Sequence, residues 1–345
     1  MSTANLDSAD LKAVQRGGAI REDVMNQLWD LSDNGTWTPF TNSIGSDTTG
    51  NSYAEWYIDK LAAPDVDNAA VDGSDSDQDD TSTGNRVGNH CQISRKEVRV
   101  STRANESNSI ASQGKLANQV MRRQIELRRD VDAILLQPQA SVADDGNTTA
   151  GRVGGFPSWI ETAYYAGVGG DSGGFNLGTG LVAAPTPGTI RALTETAVRD
   201  ACQAIYEEGG NPTMMLSTSS VIRKFSEYMF DSSARIATLS AETNQRGPAT
   251  AMGSVNVFLT DFGVTLKMVA NRNQQLYNSG TAANVFIYDP EYLRQTFLHG
   301  YRVDPLAKTG LSDKRQMVVD YTLKVLNERA HAVIADIDPT APVTP

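Results

Sequence analysis

At 345 residues, 39% of them hydrophobic and 21% charged, the chain can bury a sizeable core in one large domain or in two or three smaller ones. Its formal net charge of −11 opposes tight phosphate binding, which needs a basic surface. That argues against a sequence-reading DNA binder and leaves room for a protein that lives beside DNA without adhering to it. No stretch approaches the roughly 18 consecutive apolar residues of a membrane-crossing helix, so no membrane partner is expected, and MSTANLDSADLKAVQRGG at the start lacks the basic and apolar regions of a signal peptide.

Residues 1–35 read as a polar arm with one short helix. In REDVMNQLWDLS, Val24, Leu28 and Leu31 share a face with Met25 and Trp29 beside it, and Asn34–Gly35 supplies a C-terminal stop. Residues 52–62, SYAEWYIDKLA, read as a strand: Tyr53, Glu55, Tyr57 and Asp59 alternate with Ala54, Trp56 and Ile58. Residues 65–80 carry seven aspartates and no Lys or Arg. Residues 86–102 return as strand through Val87, Cys91, Ile93, Val98 and Val100. Together these predict a long hairpin whose acidic tip is too charged to join a core.

The strongest helix is predicted over 112–137, where Leu116, Val120, Leu127, Val131, Ile134 and Leu135 repeat at three and four. It would be roughly 35 Å long at a rise of ~1.5 Å per residue, and Pro138 ends it. Arg122, Arg123, Arg128 and Arg129 decorate the remainder, interleaved with Glu126, Asp130 and Asp132. That mixture reads as a solvated or intersubunit face rather than a DNA footprint.

Residues 138–188 hold twelve of the 29 glycines. GRVGGFPSWIETAYYAG is expected to be ordered and the stretch after it to be a low-complexity loop. A helix from about Thr189 to Glu208 should stop at Gly209–Gly210. TMMLSTS follows as a short buried strand, and SSVIRKFSEYMF as a helix with Val221, Phe225 and Met229 on one face. SVNVFLTDFGVTLKMVANR reads as a hairpin turning at Asp261–Phe262–Gly263, and NVFIYD as a strand. KRQMVVDYTLKVLNERAHAVIADI reads as two strands joined near Asn327–Glu328, ahead of a Pro-rich tail. Strand between helices suggests a mixed α/β subdomain.

The chemical motifs are thin. VGGDSGGFN, residues 168–176, contains the Gly-Asp-Ser-Gly-Gly of chymotrypsin-like proteases, with His90 and Asp130 or Asp132 upstream in that family's order. Asp130 and Ser172 are only 42 positions apart. That gap holds a helix end and a glycine-rich loop, which leaves no room for a second β-barrel, and a triad is defined by geometry rather than by its string. Ser172 is therefore assigned to a surface loop. Asp75, Asp77 and Asp79 open like a calcium loop, but the sixth and twelfth positions are Asp80 and Arg86 in place of Gly and Glu. A solvated tip is the preferred reading, with a looser divalent site left open.

Asp261–Phe262–Gly263 matches a kinase magnesium motif without its companions and reads as a hairpin turn. His90, His299 and His331 form no zinc spacing, and no phosphate-binding glycine loop opens a helix. Cys91 and Cys202 sit in no CxxC and are expected to be reduced thiols of a cytoplasmic product. No catalytic residue, cofactor or metal is expected.

The order of features is more telling. The segments GRVGGFPSWIET, NPTMMLSTSSVIRKFS, VNVFLTDFGVTLKMVANR and LAKTGLSDKRQMVVDYTLKVLNERAHAVI, covering much of residues 110–337, resemble the major capsid proteins of tailed bacteriophages with the HK97-type fold. The first 50 residues match least. The resemblance implies an α+β fold with an N-terminal arm and start of a peripheral domain (1–50) and an extended β-hairpin or E-loop with an acidic tip (51–105). It further implies a peripheral domain with a long spine helix (106–155), a mixed α/β axial domain (156–310), and return strands of the peripheral domain with the tail (311–345).

It implies a structural protein of the virion rather than an enzyme. Copies would form hexamers and pentamers of an icosahedral shell around double-stranded DNA, without sequence-specific binding, assembled in the bacterial host cytoplasm. With the hairpin starting near residue 52, a separate scaffolding protein is expected, together with a portal protein and a decoration protein. Trp56 and Tyr57 on the hairpin and Arg122, Arg123, Arg128 and Arg129 on the helix are the expected intersubunit contacts, with the acidic tip lying over a neighbour's basic surface. Another virion part, such as a decoration or tail protein, and a hydrolase remain the alternatives.

Overall fold

The computed structural model describes residues 38–67, 69–75, 84–107, 115–229 and 257–344; the arm helix expected within 21–32 and the aspartates at 77, 79 and 80 lie outside them. The helices are α1 (Pro39–Ser43), α2 (Thr102–Glu106), α3 (Leu116–Leu135), α4 (Phe156–Trp159), α5 (Glu195–Glu207) and α6 (Ser219–Met229). The strands are β1 (Gly45–Thr48), β2 (Tyr53–Ile58), β3 (Asn85–His90), β4 (Gln92–Ser101), β5 (Tyr164–Tyr165), β6 (Gly174–Asn176) and β7 (Leu181–Ala183). They continue as β8 (Met214–Ser217), β9 (Val257–Leu259), β10 (Thr265–Ala270), β11 (Ala283–Tyr288), β12 (Leu293–Pro305), β13 (Ser312–Val325) and β14 (His331–Ile337).

One sheet has the order β1-β12-β13-β4 and carries α3 on a single face. Alternation explains the asymmetry. Val98 and Val100 of β4 and Met317, Val319 and Tyr321 of β13 point inward to Leu127, Val131 and Leu135 of α3. Charge fixes the helix further, since Lys96 of β4 reaches Asp130 at 2.7 Å and Glu126 at 3.7 Å.

The expected hairpin is present, but its return strand divides at Cys91. β3 pairs with β2, whereas β4 leaves to pair with β13. The buried Asn89 anchors the division: its amide group donates to Gly154 O at 3.1 Å and Leu323 O at 2.9 Å, and its oxygen accepts from Gly154 N at 2.8 Å. β12 has no counterpart among the expected strands. Register shifts between Phe297 and Arg302 break the two-residue alternation by which a strand is read.

The second sheet has the order β5-β14-β11-β8-β10-β9, mixing parallel and antiparallel pairs. Its central strands are buried on both faces, which is why they read as continuous apolar runs. Met215, Val285, Ile287 and Ile334 face α5 and α6, packing with Val198, Ile205, Val221 and Phe225. Leu216, Phe286, Tyr288 and Val333 face the other way, toward the core that holds α3.

α5 begins at Glu195 rather than near Thr189. The preceding residues are drawn alongside β14, where Arg191 N donates to Asp336 O at 2.8 Å and Asp338 N to Arg191 O at 2.8 Å. Thr194 Oγ1 then caps the helix by accepting from Ala197 N at 3.1 Å, and Gly209 beyond its end has φ +90°. Asp261–Phe262–Gly263 forms the hairpin turn between β9 and β10, with Gly263 at φ +79°. β13 and β14, consecutive in the chain, belong to different sheets and are linked by a 3₁₀ turn at Glu328–Ala330. Sheet membership therefore places β12 with β13, and β14 with the six-stranded sheet, which differs from a division at residue 310.

The two sheets meet at α3. Asp132, fully buried in this helix, accepts from Thr41 N at 2.9 Å, Asn271 Nδ2 at 2.9 Å and Asn273 Nδ2 at 3.2 Å. Burial pushes its carboxyl above the usual range, while these donors favour the charged form. Beside it, Phe40, Phe156 and Tyr288 pack with ring centroids 5.5–5.9 Å apart. Asp132→Ala strands three donors and should cost roughly 3 kcal/mol, seen as a lower melting temperature. Asp132→Asn keeps an acceptor and should lose less than half as much in the same melt.

Candidate assembly surfaces

The β2–β3 hairpin is fastened to its own subunit at the foot and projects beyond it. Alternation sends Trp56 inward: its Nε1 donates to Val325 O at 2.9 Å, and its ring lies 5.2 Å from that of Trp159. Trp159 in turn stacks on Phe175 at 5.6 Å. Tyr53 OH donates to Gly180 O at 2.7 Å. Past the strand, Lys60 bonds Glu208, which also takes Arg329 Nη1 at 2.9 Å; these two cations hold the Glu208 carboxyl below its usual range. Trp56 thus spends its indole within the subunit, whereas Tyr57 is 74% exposed. Farther out, Leu61 and Val66 are 91% and 90% exposed, and Asp65, Asp67, Asp72 and Asp75 are exposed.

The four arginines of α3 do not form one free patch. Arg123 pairs with Glu126 one turn on, Arg128 lies 5.2 Å from the centroid of the Tyr301 ring, and Arg129 Nε donates to Asn273 Oδ1 at 3.3 Å. Arg122 is exposed.

The triad candidates have separate lives. His90 packs on Tyr53 at 4.6 Å, Asp130 pairs with Lys96, and Asp132 is the buried junction. Ser172 N donates to Asp171 Oδ1 at 2.9 Å, and among the described residues no hydrogen bond joins Ser172 to any of these three. Gly170, Gly173 and Gly174 around it are not slack, contrary to the low-complexity expectation. A Cβ on Gly173 would lie 2.3 Å from Ala183 O and 2.6 Å from Ser158 O. The loop is closed by paired bonds between Asp171 and Thr186 and by the buried Asp336, whose Oδ2 accepts from Gly167 N at 3.0 Å and Gly188 N at 2.9 Å.

Asp336 is held at φ +60° and its Oδ1 accepts from Tyr277 OH at 2.7 Å. Sequence reading passed over it as one more residue of a strand. The signal was a lone carboxylate inside the apolar run AVIADI.

Cys91 and Cys202 are buried free thiols, each pushed up to about 12 by burial, and so are poor nucleophiles. His331 is buried edge-on to Phe156 and pushed down to about 3 by burial. Among the described residues no group of three or more His, Cys, Asp or Glu side chains could hold a metal ion, and no helix is long and apolar enough to cross a membrane.

Comparison with known proteins agrees with this architecture. The family model for the SU10 major capsid protein matches residues 3–338. The major capsid protein of Escherichia phage Phieco32 is 34% identical over 103 residues, a match spanning 30% of this chain and 29% of that relative. Among solved structures, the capsid of the native GTA particle superposes with a TM-score of 0.57 at 12% identity, covering 98% of this chain and 100% of that one. The holo-SrpI encapsulin complex of Synechococcus elongatus PCC 7942 gives 0.55 at 13% identity, covering 99% and 98%. At such identities the structures establish a shared HK97-type fold with mixed helix and sheet.

The packing around Ser172 separates two substitutions one residue apart. Ser172→Ala should shift stability by less than ~0.5 kcal/mol and leave proteolytic activity and assembly unchanged. Gly173→Ala should cost roughly 1–3 kcal/mol; thermal melts of the two variants side by side test the pair.

Proposed function

The chain belongs to the SU10 major capsid protein family, and from that premise we propose that its copies close into hexamers and pentamers of an icosahedral shell enclosing the double-stranded DNA of a tailed phage. The observation that carries this reading is the hairpin arm. Leu61, Val66 and Val71 are 91%, 90% and 78% exposed on it, an arrangement a solitary subunit has no use for and a neighbouring subunit can bury. Ring interfaces between unlike patches close into capsomers, and stability then comes from many large contacts rather than from a focused site. The net charge of −11 suits a container that must not hold its DNA tightly.

On this reading the four-stranded sheet with α3 is the peripheral domain, the six-stranded sheet with α5 and α6 is the axial domain, and the β2–β3 hairpin is the extended loop. Tyr57 is the intersubunit contact best placed among those expected from sequence, with Arg122 exposed on α3; Trp56, Arg123, Arg128 and Arg129 support the same surfaces from within. The protein works without catalysis, assembles in the host cytoplasm and ends in the virion. A scaffolding protein, a portal protein and a decoration protein are its further partners.

Electron microscopy of the expressed protein, with and without scaffold, tests the proposal. Rings, tubes or shells are expected; monodisperse monomer under every condition would sink it.

A further inference from the structure

The face of the four-stranded sheet turned away from α3 holds a buried carboxylate that nothing in the chain neutralises. Asp320 lies on β13 between Val319 and Tyr321, which face α3, so its side chain stands on the opposite side. It is 7% exposed, and its Oδ1 has no hydrogen-bond partner. The cations around it are engaged or apart. Lys324 pairs with Asp47 at 2.7 Å and Arg302 with Asp304 at 3.0 Å, while Arg95 on β4 is exposed; among the described residues none of the three forms a salt bridge with Asp320. Burial pushes its carboxyl above the usual range, and His299 and Arg302 act in the opposite direction. An uncompensated buried charge is costly, so a carboxylate retained there points to a cation supplied from outside the chain.

The register provides a second donor. β12 is irregular on both sides of His299, and between the two shifts His299 alone keeps a partner, which is Asp320. Cross-strand partners share a face, so an exposed imidazole stands opposite the buried carboxylate. Opposed as they are, the two make no salt bridge among the described residues. Gly300 borders open space, since a Cβ there would meet no atom within 4 Å, and this leaves the neighbouring imidazole room to turn. A third polar atom belongs to the same face. Thr296 pairs with Thr322, two residues along from Asp320; it is fully buried, and its Oγ1 also lacks a hydrogen-bond partner. The chemistry of this set is selective. Imidazole with a single carboxylate suits zinc-like ions, whereas calcium and magnesium take sets made of oxygens.

We propose that Asp320 and His299 bind a divalent transition-metal ion of the zinc class on the outer face of the four-stranded sheet. Water completes the coordination, and the Thr296 hydroxyl orients the carboxylate, as the outer partners of metal ligands do. The ion clamps β12 to β13 where the bulges interrupt their ladder. A lysine or arginine of another protein is the competing occupant. The imidazole favours the metal, because it ligates such an ion directly, while a cationic side chain is drawn to the carboxylate alone.

The test uses the untagged full-length chain, stripped with a chelator, with zinc, cobalt(II) and calcium as probes. Calorimetric titration should show one equivalent of zinc bound, with affinity falling at least tenfold in His299→Ala and in Asp320→Asn. Cobalt(II) should give visible absorption bands that both variants lose, and calcium binding should be the same in all three chains. Zinc should raise the melting temperature of the wild type more than that of either variant. In chelator, Asp320→Asn should melt no lower than wild type, because an unpartnered amide costs less to bury than an unpartnered carboxylate. Zinc affinity unchanged by both substitutions, or no zinc binding at millimolar metal, would overturn the site. So would a lower melt for Asp320→Asn in chelator, which would show that the carboxylate already has a partner within the chain. Sedimentation velocity in chelator is the last arm: self-association weakened by Asp320→Asn would assign the carboxylate to a protein cation instead. Metal binding is read on the chain whatever its state of assembly, so the shell reading stands or falls separately.

Discussion

The placement of α3 against the six-stranded sheet depends on the buried carboxylate of Asp132. A helix laid on a sheet by apolar contacts alone can slide, because dispersion and burial are non-directional. Three directed hydrogen bonds, from the backbone of α1 and from two asparagines after β10, remove that freedom. They tie Asp132 to chain segments 91, 139 and 141 positions away in sequence. Isolated, such a group would be costly to bury; satisfied, it specifies one arrangement. The aromatic cluster of Phe40, Phe156 and Tyr288 fills the space around it, so shape and polarity fix the same geometry.

A second buried carboxylate does comparable work on the glycine-rich segment. Asp336 gathers Gly167, Gly188 and Tyr277 around one side chain, and the backbone can approach that closely only where no Cβ intervenes. A Cβ on Gly167 would fall 1.9 Å from Thr189 O. Glycine here is chosen for close approach rather than for mobility. The same residues that imitate a protease signature are the ones a tightly folded loop requires.

These particulars show what could be read in advance. The strands of the six-stranded sheet were legible because burial on both faces makes short unbroken apolar runs, and α3 because its apolar residues recur at helical spacing. β12 was not, because its bulges near His299 and Gly300 spoil alternation over a strand of 13 residues. The division of the hairpin's return strand at Cys91 was hidden as well. Both halves alternate correctly, and only the partner across the sheet, β2 or β13, distinguishes them. Asp132 and Asp336 were visible as interruptions of apolar patterns, but their partners lie far away in sequence. The arginines of α3 were legible as a basic face. Their engagement with Glu126, Tyr301 and Asn273 was not, since two of these three arrive from other elements.

Charge distribution, more than net charge, then decides how such subunits can meet. A chain at −11 should repel its own copies, and uniform acidity would oppose any shell. Here acidic side chains gather on a projecting arm, while Arg99 and Lys314 face each other at the far end of a sheet whose near end holds the arm's foot. β13 is the rigid element that fixes the distance between them. It is hydrogen-bonded on both sides along most of its length and backed by α3, so the two charged ends hold a constant separation.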